Sequence, residues 1–180
     1  MVHYQPEKIQ RVILKISGEF LAGKKGVGFD NEILERLAEE LIELKKLGIS
    51  VGVVIGGGNL YRGAKGEAEG VDRVTGDNIG MLATIQNCLV VSDYIRRMNY
   101  QAEVFSALQC EKVCRFYIPK EVELSLRKGR IVFLGAGTGN PFFTTDTAAV
   151  LRAVELKADM VLKGTKVDGV YSSDPMVEKE

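Results

Sequence analysis

The stretch Val51-Gly52-Val53-Val54-Ile55-Gly56-Gly57-Gly58-Asn59 decides the fold class of this chain. Its first five residues form a short, largely β-branched run that ends at glycine, which is typical of a strand buried on both faces of a parallel sheet. The three following glycines lack Cβ atoms, so the backbone can adopt positive φ values and its N–H groups can approach an oxyanion closely. The stretch therefore predicts a strand and an anion-binding turn, with a plain strand-to-helix turn as the alternative.

A second glycine-bearing segment, residues 135–146, follows the apolar run 130–134. Its glycines permit a turn, and a helix is expected to start near Thr144 to Asp146. A helix N-terminus offers free N–H groups and a partial positive charge, so it favours an anion or a polar ligand. These residues are equally compatible with a plain helix cap and a first-turn carboxylate.

Strands alternate with helices along the chain, which predicts an α/β fold with a mostly parallel central sheet and helices on both faces. The predicted strands are 11–16, 51–55, 102–105, 130–134 and 160–163, and the predicted helices are 31–47, 77–98, 119–128 and 144–157. Asp77 is expected in the first turn of its helix, with Ile79 and Leu82 in the core. Residues 63–76 are expected to form a loop or lid.

Composition and charge limit the possible functions. The 180 residues are 46% apolar, with 24 basic and 24 acidic side chains, so a single domain with a real core is expected over residues 1–180. Balanced charge gives no electrostatic argument for nucleic acid or a membrane surface as partner. Because no apolar run approaches ~18 residues and the first ten residues are polar, no membrane span or secretory signal is expected, and the cytoplasm is the expected location.

The cysteines and the single histidine argue against several kinds of chemistry. Cys88, Cys110 and Cys114 favour reduced packing thiols, and no histidine lies near the last two to complete a metal site. His3 lies in a terminus expected to fray, which argues against an imidazole base or a triad. No stretch matches G-x-x-x-x-G-K-[ST] or the dinucleotide fingerprint, so any nucleotide site belongs to another class.

Lys15 and Lys163 occupy comparable positions at the ends of the first and last predicted strands. Ligands of such sheets bind beyond the carboxyl ends of strands. Two ammonium groups there, beside the glycine-bearing segments, would offset the charge that builds up during phosphoryl transfer. Each lysine alone is also compatible with a solvated strand terminus, but the coincidence of several such motifs at strand ends favours the phosphoryl-transfer interpretation.

Taken together, these motifs resemble those of the bacterial uridylate (UMP) kinases of the amino acid kinase superfamily. The resemblance spans the whole chain and rests on residues 15–19, 54–59, 62–63, 76–77, 138–146, 162–171 and 174–175. The Lys-x-Ser-Gly-Glu motif and the glycine triplet are shared across the superfamily and imply its three-layer sandwich and its phosphoryl chemistry. The segment 139–146 and the pair Arg62 and Asp77 are more particular to the UMP branch.

The resemblance implies transfer of the ATP γ-phosphate to UMP, giving UDP in pyrimidine nucleotide biosynthesis, with Mg²⁺ bridging the donor phosphates. The residues implied to be catalytic are Lys15, Lys163, Asp146 and Arg62. Those implied to hold UMP are Gly57, Arg62, Asp77, Thr138, Gly139, Asn140, Pro141, Phe142, Phe143, Thr144 and Thr145. Those implied to hold ATP are Lys15, Ile16, Ser17, Gly18, Gly58, Arg62, Thr165, Tyr171 and Asp174.

The resemblance also assigns individual roles. Arg62 would bind the UMP phosphate, Asp77 the ribose hydroxyls and residues 138–145 the uracil, while Asp146 would orient the lysines. In related enzymes a loop tied to GTP activation matches Gly23, Lys24, Lys25, Gly26, Val27 and Gly28. UTP inhibition and a homohexamer are expected on the same basis. Family members usually continue past the position of Glu180, so the domain is expected to lack a C-terminal segment.

Two alternatives stay open. A superfamily relative that phosphorylates a carboxylate or a carbamate would need neither a ribose ligand at Asp77 nor the segment 139–146. A non-catalytic module that senses UMP or UTP would need the acceptor site alone. The residues agree with a phosphate acceptor, because a phosphate monoester with a second pKa of ~6 is already a nucleophilic dianion near neutrality and needs no histidine base.

Overall fold

The computed structural model describes residues 9–61 and 70–164. In these residues six strands form one sheet in the order β4-β3-β5-β2-β1-β6, and each strand pair is parallel. The strands are β1 (Arg11–Ile16), β2 (Ser50–Ile55), β3 (Ala102–Ser106), β4 (Arg115–Phe116), β5 (Ile131–Gly135) and β6 (Met160–Gly164). The α-helices are α1 (Gly18–Leu21), α2 (Asn31–Lys46), α3 (Arg73–Arg97), α4 (Pro119–Arg127) and α5 (Thr145–Glu155).

Helices cover both faces of the sheet, as the alternating pattern predicts. Side chains of α2 and α3 pack with one face in a core that includes Leu37 and Ile85. Side chains of α4 and α5 pack with the other face around Val132 and Ala149. The expected three-layer α/β architecture is confirmed.

Helix α2 follows the sequence pattern closely. The Asp30 carboxylate accepts the N–H of Glu32 at 3.1 Å and so caps the helix. Its apolar residues recur at helical spacing, which places Leu34, Leu37 and Leu41 in the core. Gly48, with a φ of 81°, lies two residues beyond the last helical residue.

Helix α3 begins at Arg73, four residues earlier than predicted. The Asp72 carboxylate accepts the N–H of Thr75 at 3.1 Å, which caps the helix inside the segment that the sequence predicts as a loop. Asp77 therefore lies beyond the first turn. Ile79 and Leu82, expected in the core, are 36% and 47% exposed, because the buried face of α3 is formed by other residues, which include Met81, Thr84 and Ile85. The part of the predicted loop at 63–69 lies outside the described residues.

Smaller elements differ from the prediction as well. The two-residue strand β4 pairs with β3 in a stretch predicted to be irregular, since so short a strand carries no periodic signal. Helix α1 and a 3₁₀ turn at Gly23–Lys25 lie in the region predicted as a glycine-rich loop. Cys88 and Cys114 are buried and all three thiols are free, which confirms their role as packing residues. In the described part of the chain, no helix has the length and apolar character needed to cross a membrane.

The glycine triplet is required by close packing and not by unusual φ angles. None of Gly56, Gly57 and Gly58 has a positive φ, so the conformational freedom that the glycines permit is not used here. A Cβ on Gly57 would lie 2.9 Å from the carbonyl oxygen of Gly80 on α3. A Cβ on Gly18 would overlap the carbonyl oxygen of Gly56. The turns after β1 and β2 therefore meet backbone to backbone.

We expect Gly18→Ala to lower the free energy of unfolding by about 2 kcal/mol, because overpacking against rigid backbone is not relieved by a side-chain movement. Urea unfolding followed by circular dichroism measures the change. Gly80→Ala is the matched control. Gly80 is an interior residue of α3 and its Cβ would meet no other atom within 4 Å, so this substitution should raise the free energy of unfolding by roughly 0.5–1 kcal/mol. Equal stability of Gly18→Ala and the wild type would contradict the close packing of the two turns.

Candidate active site

The turns after β2 and β5 face each other across an open cleft of about 340 Å³. Helix α3 forms the floor between them, and the start of α5 closes one end. The lining residues are Gly57, Tyr61, Arg73, Gly76, Asp77, Gly80, Met81, Thr84, Gly137, Thr138, Asn140, Phe143, Thr144 and Thr145. The structure thus brings the two glycine-bearing segments together at the carboxyl edge of the sheet, where parallel sheets bind ligands.

Lys15, Lys163 and Asp146 form an ion cluster at the same edge. Lys15 on β1 and Lys163 on β6 are partners in the strand register. The Nζ atom of Lys15 lies 2.7 Å from Asp146 Oδ1, and that of Lys163 lies 2.8 Å from Oδ2. The Lys15 side chain is 14% exposed and that of Lys163 is 55% exposed, so the first ammonium group is held more firmly by its surroundings.

Asp146 is ionised in this cluster. Partial burial raises the pKa of its carboxyl, but the hydrogen bonds and charges of Lys15 and Lys163 outweigh that effect and hold the pKa below its usual range. Two ammonium groups facing one carboxylate leave an excess of positive charge. The cluster can therefore attract a polyanion such as a nucleotide phosphate chain.

Asp146 is positioned by the first turn of α5. Thr144 is the N-cap of this helix, and its hydroxyl accepts the N–H of Thr147 at 3.1 Å. The Thr144 side chain is therefore a helix cap. From the sequence, its role was open between a helix cap and a ligand-binding residue. Thr145, the first residue of the same helix, also lines the cleft.

The loop 136–144 has an unusual backbone. Positive φ angles occur at Ala136, Gly137, Gly139 and Phe142, which only glycine adopts at low cost. Within the loop the Thr138 hydroxyl accepts the N–H of Asn140 at 3.2 Å. The loop is therefore a shaped wall of the cleft whose conformation must be supported from outside.

Asp77 supplies part of that support. Its Oδ2 accepts the N–H of Phe142 at 2.7 Å, and its carboxylate also accepts from Nε of Arg73 at 3.0 Å. The Phe142 N–H and the Arg73 charge hold the pKa of the Asp77 carboxyl below its usual range, against a smaller opposing effect of burial. Asp77 lines the cleft and at the same time ties the loop to α3.

Sequence reasoning missed Arg73. Its guanidinium carbon lies 5.6 Å from the centroid of the Phe142 ring, so the arginine contacts both the carboxylate and the loop that the carboxylate holds. Arg73 and Asp77 are four residues apart, a spacing that predicts a side-chain contact only when both residues lie in the same helix. The sequence predicted that the helix begins at Asp77, so this contact was not expected.

The predicted donor-side residues are only partly described. Ile16, Ser17 and Gly18 follow one another from the end of β1 into α1, next to Gly56. A Cβ on Gly58 would lie 3.3 Å from the Glu19 side chain. The predicted residues Arg62, Thr165, Tyr171 and Asp174 lie outside the described residues, as does His3.

The predicted effector loop, residues 23–28, contacts the residue that follows the glycine triplet. The N–H of Gly28 donates to the carbonyl oxygen of Asn59 at 2.9 Å, and Asn59 Nδ2 donates to the carbonyl oxygen of Gly28 at 2.9 Å. Positive φ angles at Gly23, Gly26 and Gly28 shape the loop. The loop is therefore hydrogen-bonded to the turn after β2, which contributes Gly57 to the cleft.

Comparisons with known proteins agree with this geometry. The model of the amino acid kinase family matches residues 10–180. The uridylate kinase of Methylococcus capsulatus is 54% identical over 171 residues, which cover 95% of this chain and 72% of that protein. The uridylate kinase of Photorhabdus laumondii is 53% identical over 171 residues, with 95% and 71% covered.

Solved structures show the same relationship. The structure of UMP kinase from Bacillus anthracis is similar with a TM-score of 0.89 at 40% identity, covering 93% of this chain and 70% of that one. The UMP kinase from Ureaplasma parvum gives a TM-score of 0.89 at 35% identity, with 96% and 74% covered. The chain therefore belongs to the amino acid kinase family and groups with its uridylate kinases.

Proposed function

We propose that this chain transfers the γ-phosphate of ATP to UMP and releases UDP and ADP. The observation that carries the proposal is the ion cluster of Lys15, Asp146 and Lys163 beside a cleft walled by two glycine-bearing segments. A site of this kind supplies positioning and positive charge, which are the main requirements of phosphoryl transfer. The names of the relatives support UMP as the acceptor.

In the proposed reaction an oxygen of the UMP phosphate forms a bond with the γ-phosphorus of ATP. The bond from that phosphorus to the β–γ bridging oxygen breaks, and its electron pair leaves with ADP. No proton has to be removed, because the UMP phosphate is a dianion near neutral pH. Lys15 and Lys163 offset the negative charge on the transferred group, and Asp146 holds both ammonium groups in place.

Mg²⁺ enters as part of the donor substrate. This ion typically binds through substrate phosphates and at most one or two carboxylates. We assign it to the ATP phosphates, where it would neutralise charge that the lysines do not reach. The ATP-side roles of Thr165, Tyr171 and Asp174 and the phosphate-binding role of Arg62 are proposals that rest on the family resemblance.

Regulation and assembly are proposed on the same basis. GTP and UTP would act as effectors, with GTP acting through residues 23–28, and the protein would form a homohexamer in the cytoplasm. The hydrogen bonds between Gly28 and Asn59 support an effect of this loop on the glycine triplet. A carboxylate or carbamate acceptor is not favoured, because the cleft is built around Asp77 and the loop 136–144.

Asp77→Asn is expected to raise the dissociation constant of UMP about tenfold and that of ATP less than twofold. The amide removes the charge that pairs with Arg73 and can turn its NH₂ group towards the Phe142 N–H, so the UMP loop loses its support. Calorimetric titration measures both constants. Asp72→Asn is the matched control, since asparagine also caps helices well. An equal loss for both ligands would point to a folding defect and contradict the assigned role.

The proposal is tested by titrating the chain with UMP, CMP, dUMP, glutamate, aspartate and carbamate in parallel. We expect UMP to bind most tightly and dUMP more weakly, because the proposed ribose contact of Asp77 needs the 2′-hydroxyl. Tighter binding of a carboxylate or of carbamate would move the chain to another branch of the family. Absence of UMP binding would overturn the proposed function.

A further inference from the structure

Helix α3 places two buried polar side chains under the turns that form the cleft. Thr84 is 7% exposed and Asn87 is fully buried. Both lie on the side of the helix that faces the sheet, where apolar residues would be sufficient for packing. Buried polar groups are costly unless they are hydrogen-bonded, so their partners indicate why they are there.

Thr84 supports the turn after β5. Its Oγ1 accepts the N–H of Ala136 at 2.7 Å and donates to the carbonyl oxygen of Met81 at 2.7 Å. Ala136 has a φ of 61°, which is unfavourable for a residue with a Cβ. The hydroxyl therefore fixes the strained residue from which the acceptor loop departs.

Asn87 supports the turn after β2. Its Nδ2 donates to the carbonyl oxygen of Gly56 at 2.6 Å and to Asn59 Oδ1 at 2.7 Å. Its Oδ1 accepts from Asn59 Nδ2 at 3.0 Å. The two amides thus form a reciprocal pair directly beneath the glycine triplet.

We propose that Thr84 and Asn87 are positioning residues, through which one helix sets the geometry of both glycine-bearing segments. Thr84 holds the loop 136–144, which carries residues assigned to the acceptor and none assigned to the donor. Asn87 holds the turn that carries Gly57 and Gly58, residues assigned to the acceptor and the donor. The inference rests on the proposed function, because it names the support for that same site.

The two residues are expected to differ in which ligand they affect. Thr84→Val keeps the shape of the side chain but leaves the Ala136 N–H without its acceptor, so the dissociation constant of UMP should rise about tenfold and that of an ATP analogue less than twofold. Asn87→Ala leaves the Gly56 carbonyl without its side-chain donor. This substitution should raise the dissociation constants of UMP and of the ATP analogue about tenfold each.

Calorimetric titration with UMP and with a non-hydrolysable ATP analogue tests the inference. Thr84→Ser retains the hydroxyl and should bind UMP within threefold of the wild type. Ser92→Ala is the control on the same helix, since Ser92 is fully buried and its hydroxyl donates to the carbonyl oxygen of Leu89 in its own helix. Ser92→Ala should leave both dissociation constants unchanged.

The titration separates positioning from a general effect on folding. A residue that only stabilises the fold lowers the fraction of binding-competent protein and so weakens both ligands by the same factor. The selective loss of UMP by Thr84→Val is therefore the result that a merely structural role would not produce, and Asn87→Ala is titrated at a temperature where circular dichroism shows it fully folded. UMP binding by Thr84→Val within twofold of the wild type would overturn the inference while the proposed function stands. A wild-type chain that does not bind UMP would overturn both.

Discussion

Asp146→Asn should reduce the rate of UDP formation by about 100-fold while the dissociation constant of UMP changes less than threefold. The carboxylate is the shared partner of Lys15 and Lys163, at 2.7 and 2.8 Å. Asparagine offers one oxygen and no charge, so the two ammonium groups lose the group that holds them side by side. The cleft along α3 and the loop 136–144, which is the proposed binding surface for UMP, is left in place.

Asp159→Asn is the control for this prediction. Asp159 also has a pKa below its usual range, because its carboxylate accepts the N–H groups of Gln10 and Arg11 at 2.8 Å. It lies at the amino ends of β1 and β6, away from the cleft, so its replacement should lower stability and leave turnover per folded molecule unchanged. Equal loss of turnover in both variants would contradict the role of Asp146.

Lys15→Ala is expected to cost about 1,000-fold in turnover, and Lys163→Ala about 100-fold, with little change in UMP affinity for either. The difference follows from exposure. Lys15 is 14% exposed and Lys163 is 55% exposed, so water screens the second ammonium group more strongly and replaces part of its charge when it is removed.

Steady-state rates with Mg–ATP and UMP, together with UMP titrations, test the two lysines. Lys46→Ala is a suitable control, because Lys46 is an exposed residue of α2 that pairs with Glu43. A Lys15→Ala variant with weaker UMP binding and normal turnover would place this lysine on the acceptor and contradict its assignment to the transferred phosphate.

Much of this arrangement could be predicted from the sequence. The β-branched run 51–55 and its glycine end identify β2, and the parallel architecture then places strand ends at one edge of the sheet. That rule places Lys15 and Lys163 at the same edge, and the structure adds that β1 and β6 are neighbours with the two lysines as partners in register. The helix-start position of Asp146 was predicted from the sequence pattern, whereas its pairing with both lysines was implied only by the family resemblance.

The supporting residues could not be predicted in the same way. Thr84 and Asn87 interrupt the apolar pattern of α3, so their sequence positions suggest a solvated surface, yet both are buried beneath the cleft. Arg73 could not be identified because Asp72 caps the helix within a polar stretch that the sequence predicts as a loop. The sequence correctly associated the glycine triplet with a turn. The reason that glycine is needed there is the close approach of Gly18 to Gly56 and of Gly80 to Gly57, which depends on tertiary packing.

The central claim is that the cleft and the ion cluster together carry out phosphoryl transfer to UMP. Phosphorus NMR of a mixture of this chain, Mg–ATP and UMP follows the transferred atom directly. We predict that the γ-phosphorus signal of ATP decreases as the β-phosphorus signal of UDP grows in equal amount, and that Asp146→Asn slows both changes together. Binding of UMP with no UDP signal would contradict the claim and favour a module that senses the nucleotide.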